Sequence, residues 1–403
     1  MRILMLTSSF PISPDEGYNA GVFVREVALG LARMGHEILV LTPSKPKPVR
    51  DPVLQVCTFP WLGAFSDLAS LPPHVGNLIR FLSLLASGAW ATWRWIRCWR
   101  PAMALAMWAI PSGALAYLVG CKTGLPYGVW ALGSDVWGRR RYPLGEVIVR
   151  RVLQGARFRL ADGWGLAREV SELSGRPCAF LPSARSLPLE VPPAPLPSDP
   201  VHLAFLGRFE RQKGIDLLVE ALAPLVWNAR RTEFHVHLMG DGSMRPAVEQ
   251  AIARHRLDPW FTRYGYVGPR QVTALLKASD YLVIPSRVES IPVAFSDAMQ
   301  CGLPVIVTDV GDLGLLTRHW QVGWVAGPPE PAALTESLRR AMEDRGRQAC
   351  FRKNTARAAA FFRIDRIVDR VSAILEGKID EEGLTAELLD VLGNPAGSGP
   401  APS

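Results

Sequence analysis

Short continuous runs of aliphatic and β-branched residues alternate along this chain with longer stretches in which apolar residues return every third or fourth position. The first pattern marks strands buried on both faces and the second marks amphipathic helices, so the chain reads as strand, helix, strand from its start. Residues 1–6 are expected to form a strand; a loop with Pro11, Pro14, Gly17 and Gly21 follows, then a helix over 22–34 closed by Gly35, and a strand at 38–41. Further strands are expected at 102–108, 127–131 and 179–181, with a helix over 111–119. Residues 43–73 are proline-rich and poorly periodic, the mark of an irregular excursion. Residues 188–200, PLEVPPAPLPSDP, cannot supply enough backbone donors for a helix or central strand and are expected to be an extended linker. The alternation then restarts: strand 201–206, helix 215–227, strand 234–239, a strand ending at 263–268, helix 270–279 and strand 281–284. An apolar helix opened by Pro292 and closed by Gly302 leads to a strand at 305–309. One long helix over 351–376 follows, and the acidic then low-complexity tail, 377–403, is expected to be disordered. The fold class is α/β, with Rossmann-like domains over 1–187 and 201–350.

Composition narrows this picture. At 403 residues the chain is long enough for two separate cores. A net charge of +8 points to an anionic ligand or surface, and the arginines lack a recognised nucleic-acid motif, so no nucleic acid is expected. Cys57, Cys98, Cys121, Cys178, Cys301 and Cys350 are scattered without metal-ligand spacing, which reads as reduced thiols of a cytoplasmic protein with neither disulfide nor metal. The first apolar run is too short for the core of a secretory leader, and the most hydrophobic later region, 78–99, is interrupted by Arg80, Arg94 and Arg97. No membrane-spanning helix is expected. Within that region AWATWRWIRCWRP interleaves Trp90, Trp93, Trp95 and Trp99 with Arg94, Arg97 and Arg100. Two readings stay open: peripheral contact with the inner face of a membrane, or a helix packed between sheet and neighbours. Arg139, Arg140 and Arg141 read as solvated surface, and 150–159 as a basic helix.

The candidate chemistry lies in loops. In a parallel sheet the loop after a strand meets the amino terminus of the next helix, whose unpaired N–H groups attract anions. GRFERQKGID, after the strand at 201–206, offers Gly207, Arg208 and Lys213. A guanidinium and an ammonium converging there suit a diphosphate, each charge-assisted hydrogen bond contributing roughly 1.5–3 kcal/mol. PSRVESIP, after 281–284, carries Glu289, which as an acceptor suits the hydroxyls of a sugar beside the phosphates. Because Pro292 has no N–H, the amides of Ser290 and Ile291 are expected to serve any phosphate there. The alternative readings are a solvated Glu289 and a surface Asp297. Gly240-Asp241-Gly242 permits close backbone approach, and Asp135 can cap the turn Gly133-Ser134-Asp135. The opening unit lacks Gly-x-Gly-x-x-Gly, which disfavours a nicotinamide dehydrogenase.

PSRVESIPVAFSDAMQCGLPVIVTD resembles the signature of the family 4 glycosyltransferases, retaining enzymes of the GT-B fold: a Glu, seven residues, then a second acid before Ala-Met-x-x-Gly-x-Pro-Val. Gly207-Arg208…Lys213-Gly214 resembles the same family without a gap. The resemblance implies two Rossmann-like domains facing a cleft and a C-terminal helix crossing back to the first. It implies a catalytic set of Arg208 and Lys213 on the donor diphosphate with Glu289. The donor would also meet Gly21, Gly207, Gly240, Gly242, Val267, Ser290, Ile291 and Asp297, the last being one methylene shorter than the family's usual Glu. ALGSDVWG resembles the family's HGSD loop with Leu132 in place of His, and leaves Asp135 on the acceptor or sugar side. The activity implied is transfer of a sugar from a nucleotide-diphosphate sugar to a glycan, lipid-linked or small-molecule hydroxyl, as in polysaccharide biosynthesis. No cofactor or metal is implied, and no Asp-x-Asp occurs in the chain. The rivals are a degenerate GT-B protein that binds nucleotide or glycan without catalysis, favoured by Leu132 and Asp297, and a GT-B sugar-nucleotide epimerase. Arg208, Lys213 and Glu289 favour the transferase; the sugar, base and acceptor are not legible.

Overall fold

The computed structural model describes residues 1–12, 21–45, 47, 49–63, 75–141, 144–228 and 234–392. The expected loop residues 13–20, the part of the excursion at 64–74 and the last tail residues, 393–403, lie outside the described residues. The described chain divides into two compact units, one formed by Met1–Pro182 with the segment that begins at Ile364, the other by Ser183–Arg363.

The first unit is built on β1 (Arg2–Thr7), β2 (Glu37–Pro43), β3 (Gln55–Phe59), β4 (Met103–Met107), β5 (Tyr127–Ala131), β6 (Phe158–Ala161) and β7 (Ala179–Phe180). They pair in parallel in the order β3-β2-β1-β4-β5-β6-β7. β4 is buried at every position and β1 from Ile3 onward, which is why Met103–Met107 and residues 3–6 are apolar without a break rather than alternating. β3 lies inside the stretch expected to be irregular, its half-exposed edge position leaving it little hydrophobic signal.

The second unit is built on β8 (Val201–Leu206), β9 (Phe234–Met239), β10 (Phe261–Gly265), β11 (Tyr281–Ile284), β12 (Val305–Val307) and β13 (Gly323–Val325), parallel in the order β10-β9-β8-β11-β12-β13. Val201, Leu203, Phe205, Val236 and Leu238 point into one core with the helix Ile215–Asn228. In each sheet the strand order reverses once, between β1 and β4 and between β8 and β11. Loops that leave the carboxyl ends of strands on either side of such a reversal diverge and open a crevice between them.

Several sequence expectations need correction. The long helix over 351–376 is two helices, Arg345–Phe361 and Ile364–Leu375, because Phe361 and Phe362 are locked edge-on against each other and against Trp320, and the chain changes unit immediately after. The helix Ile364–Leu375 then packs on Val22–Arg33, with Val368 over Gly30, where a methyl group would lie 2.4 Å from a valine carbon. The tail is ordered over Glu381–Leu392, since Leu384, Leu388 and Leu392 return every fourth residue and are buried. Arg159 is no helix-surface residue: it is buried in β6, donates to the carbonyls of Leu153, Ala156 and Pro177, and pairs with Glu381. The proline-rich stretch is also more than a spacer. Ala194 N–H donates to Ala274 O at 2.9 Å, and Lys277 Nζ donates to the carbonyls of Leu189 and Val191.

Under that stretch runs a histidine array. His202 Nε2 lies 2.9 Å from Pro197 O, His202 Nδ1 2.9 Å from His237 Nε2, and His237 Nδ1 3.0 Å from Tyr264 Oη. The carbonyl only accepts, so neutral His202 accepts at Nδ1 from His237, which accepts from the tyrosine. Burial, with the neighbouring His235 and His202, lowers the His237 pKa to about 3. The unfolded imidazole titrates near 6.5, so its contribution to stability is complete above that pH and is lost as pH falls toward 3. At pH 4 the loss is about 3 kcal/mol. We expect the thermal midpoint to drop between pH 7 and 4, and the drop to shrink in His237→Gln; equal acid limbs for both proteins would refute this.

Candidate active site

The reversal between β8 and β11 assembles most of the expected donor residues. Beyond β8, Gly207 N–H donates to Met239 O at 3.0 Å, and Gly207 O lies where a side chain on Gly240 would begin, 1.9 Å from that Cβ position. Gly240 has φ +140°, and a methyl at Gly242 would strike the backbone of Phe209 at 2.6 Å. These glycines therefore allow the turns after β8 and β9 to lie backbone on backbone, with Phe209 N–H on Asp241 O at 2.9 Å. Arg208 projects from this braced turn, partly exposed. Among the described residues no hydrogen-bond or ion-pair partner engages its guanidinium.

The next residues wind into a short turn, Arg211–Lys213, ended by Gly214 at φ +67°. A methyl group there would lie 1.8 Å from Pro285 O, so the loop is laid directly on the end of β11. Arg287 ties the two loops together. Its N–H donates to Gln212 O, and its guanidinium donates to Arg211 O and forks onto Asp216 at 2.7 Å for each carboxylate oxygen. Burial alone would raise the Asp216 carboxyl, but the Arg287 bonds and charge outweigh it and hold the group below its usual value. Held this way, Lys213 Nζ pairs with Glu289, both side chains partly exposed. Glu289 O is in turn backed by Gly311, where a methyl would lie 2.0 Å away.

Other expected donor residues have different surroundings. The Ile291 amide is bonded to Ser290 Oγ at 2.6 Å, and Ile291 is 1% exposed, so that N–H is not offered to a ligand. Val267 is buried just beyond β10. Asp297, expected on the donor or at the surface, is 1% exposed in the helix Val293–Gln300, with both carboxylate oxygens engaged by Arg185. The Arg185 Nε lies 3.1 Å from each oxygen and Nη2 lies 2.6 Å from Oδ2. Burial raises the Asp297 carboxyl, and the guanidinium offsets part of that. Gln300 Nε2 fixes the Arg185 carbonyl at 2.9 Å. Arg185 escapes sequence reasoning because its partner is far along the chain.

Gly21 and Asp135 belong to the first unit. Gly21, φ +83°, opens the helix Val22–Arg33 with its Cβ position 2.3 Å from Ser9 O, so the close turn requires glycine. Asp135 is buried and accepts from Ala109 N–H at 2.5 Å and Leu132 N–H at 3.1 Å. It thereby clamps the turn beside Trp108, whose φ of +74° is a strained conformation for a residue with a side chain. Burial pushes its carboxyl up to about 6 against the pull of those donors. Leu132 thus contributes its backbone to the clamp.

Residues 190–358 match the family model described as glycosyl transferases group 1. The chain is 28% identical over 371 residues to the putative teichuronic acid biosynthesis glycosyltransferase TuaC of Bacillus subtilis, covering 84% of this chain and 89% of that protein. Matches to several other curated glycosyltransferases cover only 36–38% of those proteins. Among solved structures, sucrose-phosphate synthase from Thermosynechococcus elongatus superposes with a TM-score of 0.78 at 18% identity, over 94% of this chain and 99% of that one. Anabaena HepE in complex with UDP-glucose superposes with a TM-score of 0.70 at 16% identity, over 94% and 100%. With two doubly wound parallel sheets and a group 1 region spanning the braced loops, the chain is a glycosyltransferase of the GT-B fold.

Proposed function

We propose that the second unit binds a nucleotide-diphosphate sugar and that the chain transfers its sugar, with retention as in family 4 enzymes, to a glycan, lipid-linked or small-molecule hydroxyl. The observation that carries this reading is the Lys213–Glu289 pair, held by the Arg287 tie at the sheet reversal beside Arg208. In this scheme Arg208 and Lys213 neutralise the charge that grows on the departing diphosphate, and no metal is required for that work. Glu289 exchanges the ammonium for sugar hydroxyls when donor arrives. The UDP-glucose complex of HepE supports a UDP-sugar as the first donor to try. A role in polysaccharide assembly is in keeping with TuaC, and free cysteines are in keeping with a cytoplasmic site.

The test is thermal unfolding of the parent and Lys213→Ala with UDP, GDP, ADP or CDP in EDTA. One nucleotide should raise the parent's midpoint by several degrees, since ligand at 100 times its Kd contributes about 2.7 kcal/mol. The gain should vanish in Lys213→Ala. If no nucleotide shifts the parent at millimolar concentration, or both proteins respond equally, the donor site is elsewhere or absent.

A further inference from the structure

The helix Val75–Trp99 turns one face to its own unit and a different apolar face to solvent. Its inner stripe is Leu84, Gly88, Ala91 and Thr92, and a methyl at Gly88 would meet Leu115 at 2.8 Å and Phe59 at 3.0 Å. The residues there are small because the helix lies close. Its outer stripe is Leu78, Ile79, Leu82, Trp90 and Trp93, each 43–59% exposed. Their spacing brings them to one side of the helix, as a ridge about 22 Å long. A helix packed between sheet and solvent normally carries polar residues on that side.

The charged residues carried by this helix are all arginines. Arg94 lies over the Trp90 ring at 5.7 Å and Arg97 over the Trp93 ring at 4.9 Å, so each guanidinium sits level with an exposed indole. Arg80 and Arg100 add to them at the two ends, and both are exposed. No Asp or Glu occurs between Asp67 and Asp135 in the sequence. A second copy of this helix would bring like charges together, and a protein partner would have to meet large indoles and the helix's arginines at once. An anionic bilayer surface meets both demands: indoles and leucines enter the boundary of the acyl chains while arginines reach phosphates at the same depth. Among the described residues no helix is long and apolar enough to cross a membrane, so the helix would lie in the interface plane.

We propose that the outer face of Val75–Trp99 docks the protein on an anionic phospholipid surface, with Trp90, Trp93 and Leu82 inserted and Arg94 and Arg97 on lipid phosphates. This goes beyond the donor site and does not depend on it.

The test is sedimentation of the full chain with phosphatidylcholine vesicles, with and without phosphatidylglycerol, at low and high salt. The parent should pellet with the phosphatidylglycerol vesicles, less so at high salt. Trp90→Ala/Trp93→Ala should lower the bound fraction roughly tenfold, and Arg94→Glu/Arg97→Glu should remove the preference for anionic lipid. All four side chains are exposed, so unfolding midpoints should match the parent's. Should a variant fold poorly, quenching of the parent's tryptophan emission by bromolipids in the anionic vesicles decides the matter alone. A parent that stays in the supernatant, shows no quenching, or pellets equally after loss of both indoles overturns the proposal. So does a concentration-dependent dimer that the tryptophan variant abolishes, since a second copy would then cover the ridge.

Discussion

Lys213→Ala is expected to lower kcat/KM for sugar transfer by about 10²–10³-fold, the range seen when one preorganised donor to a developing anion is removed. The loop itself should survive. Gly214 rests on Pro285 O, and the Arg287 tie to Asp216, Arg211 and Gln212 holds the turn without help from the lysine side chain. The Lys213–Glu289 pair is partly exposed, and such pairs contribute at most about 1 kcal/mol to folding. The unfolding midpoint should therefore stay near the parent's while turnover collapses. At the proposed donor site the variant also leaves Glu289 without its ammonium partner, so KM should rise together with the fall in kcat. Steady-state kinetics with the nucleotide sugar found by the midpoint panel provides the check; a variant that transfers sugar at the parental rate would remove Lys213 from the mechanism.

Arg185→Met is expected to act on stability instead. It strands a carboxylate that is 1% exposed, and breaking a buried pair from one side costs about 3–5 kcal/mol. For a unit of this size the midpoint should fall by on the order of 10 °C. The second half of the test is Arg185→Met/Asp297→Leu. Replacing both partners by apolar groups removes the stranded charge, so the double variant should recover most of the loss. A single variant as stable as the parent would mean that Asp297 is neutral or solvated in the folded protein. Calorimetry of the three proteins decides between these outcomes.

The two predictions also mark what the sequence makes legible. β5, β8, β9 and β11 coincide with their expected ranges, because a parallel strand covered on both faces carries mostly apolar residues and loops punctuate it. The loops that carry Arg208, Lys213 and Glu289 are legible because they follow such strands directly. Arg159 in β6 is illegible: it reads as helix surface because the carbonyls and the carboxylate that satisfy it come from distant segments. Arg185 is hidden for the same reason, since its partner is carried by the helix Val293–Gln300. The tail helix differs in kind. Its Leu384, Leu388 and Leu392 spacing is present in the sequence, but acidic residues around it dominate the composition until Glu381 and Glu387 find Arg159 and Arg370.

The return of the chain at Ile364 makes the first unit discontinuous. During synthesis the whole second unit emerges before the helix that covers Gly30, so Val22–Arg33 must wait with one flank unpaired while β8 to β13 complete their own sheet. The second unit can therefore finish folding on the ribosome, whereas the first is completed only once Ile364–Leu375 has emerged. Ribosome-bound chains released early would carry a closed second unit and an open first one, with the apolar stripe of Val22–Arg33 displayed to chaperones.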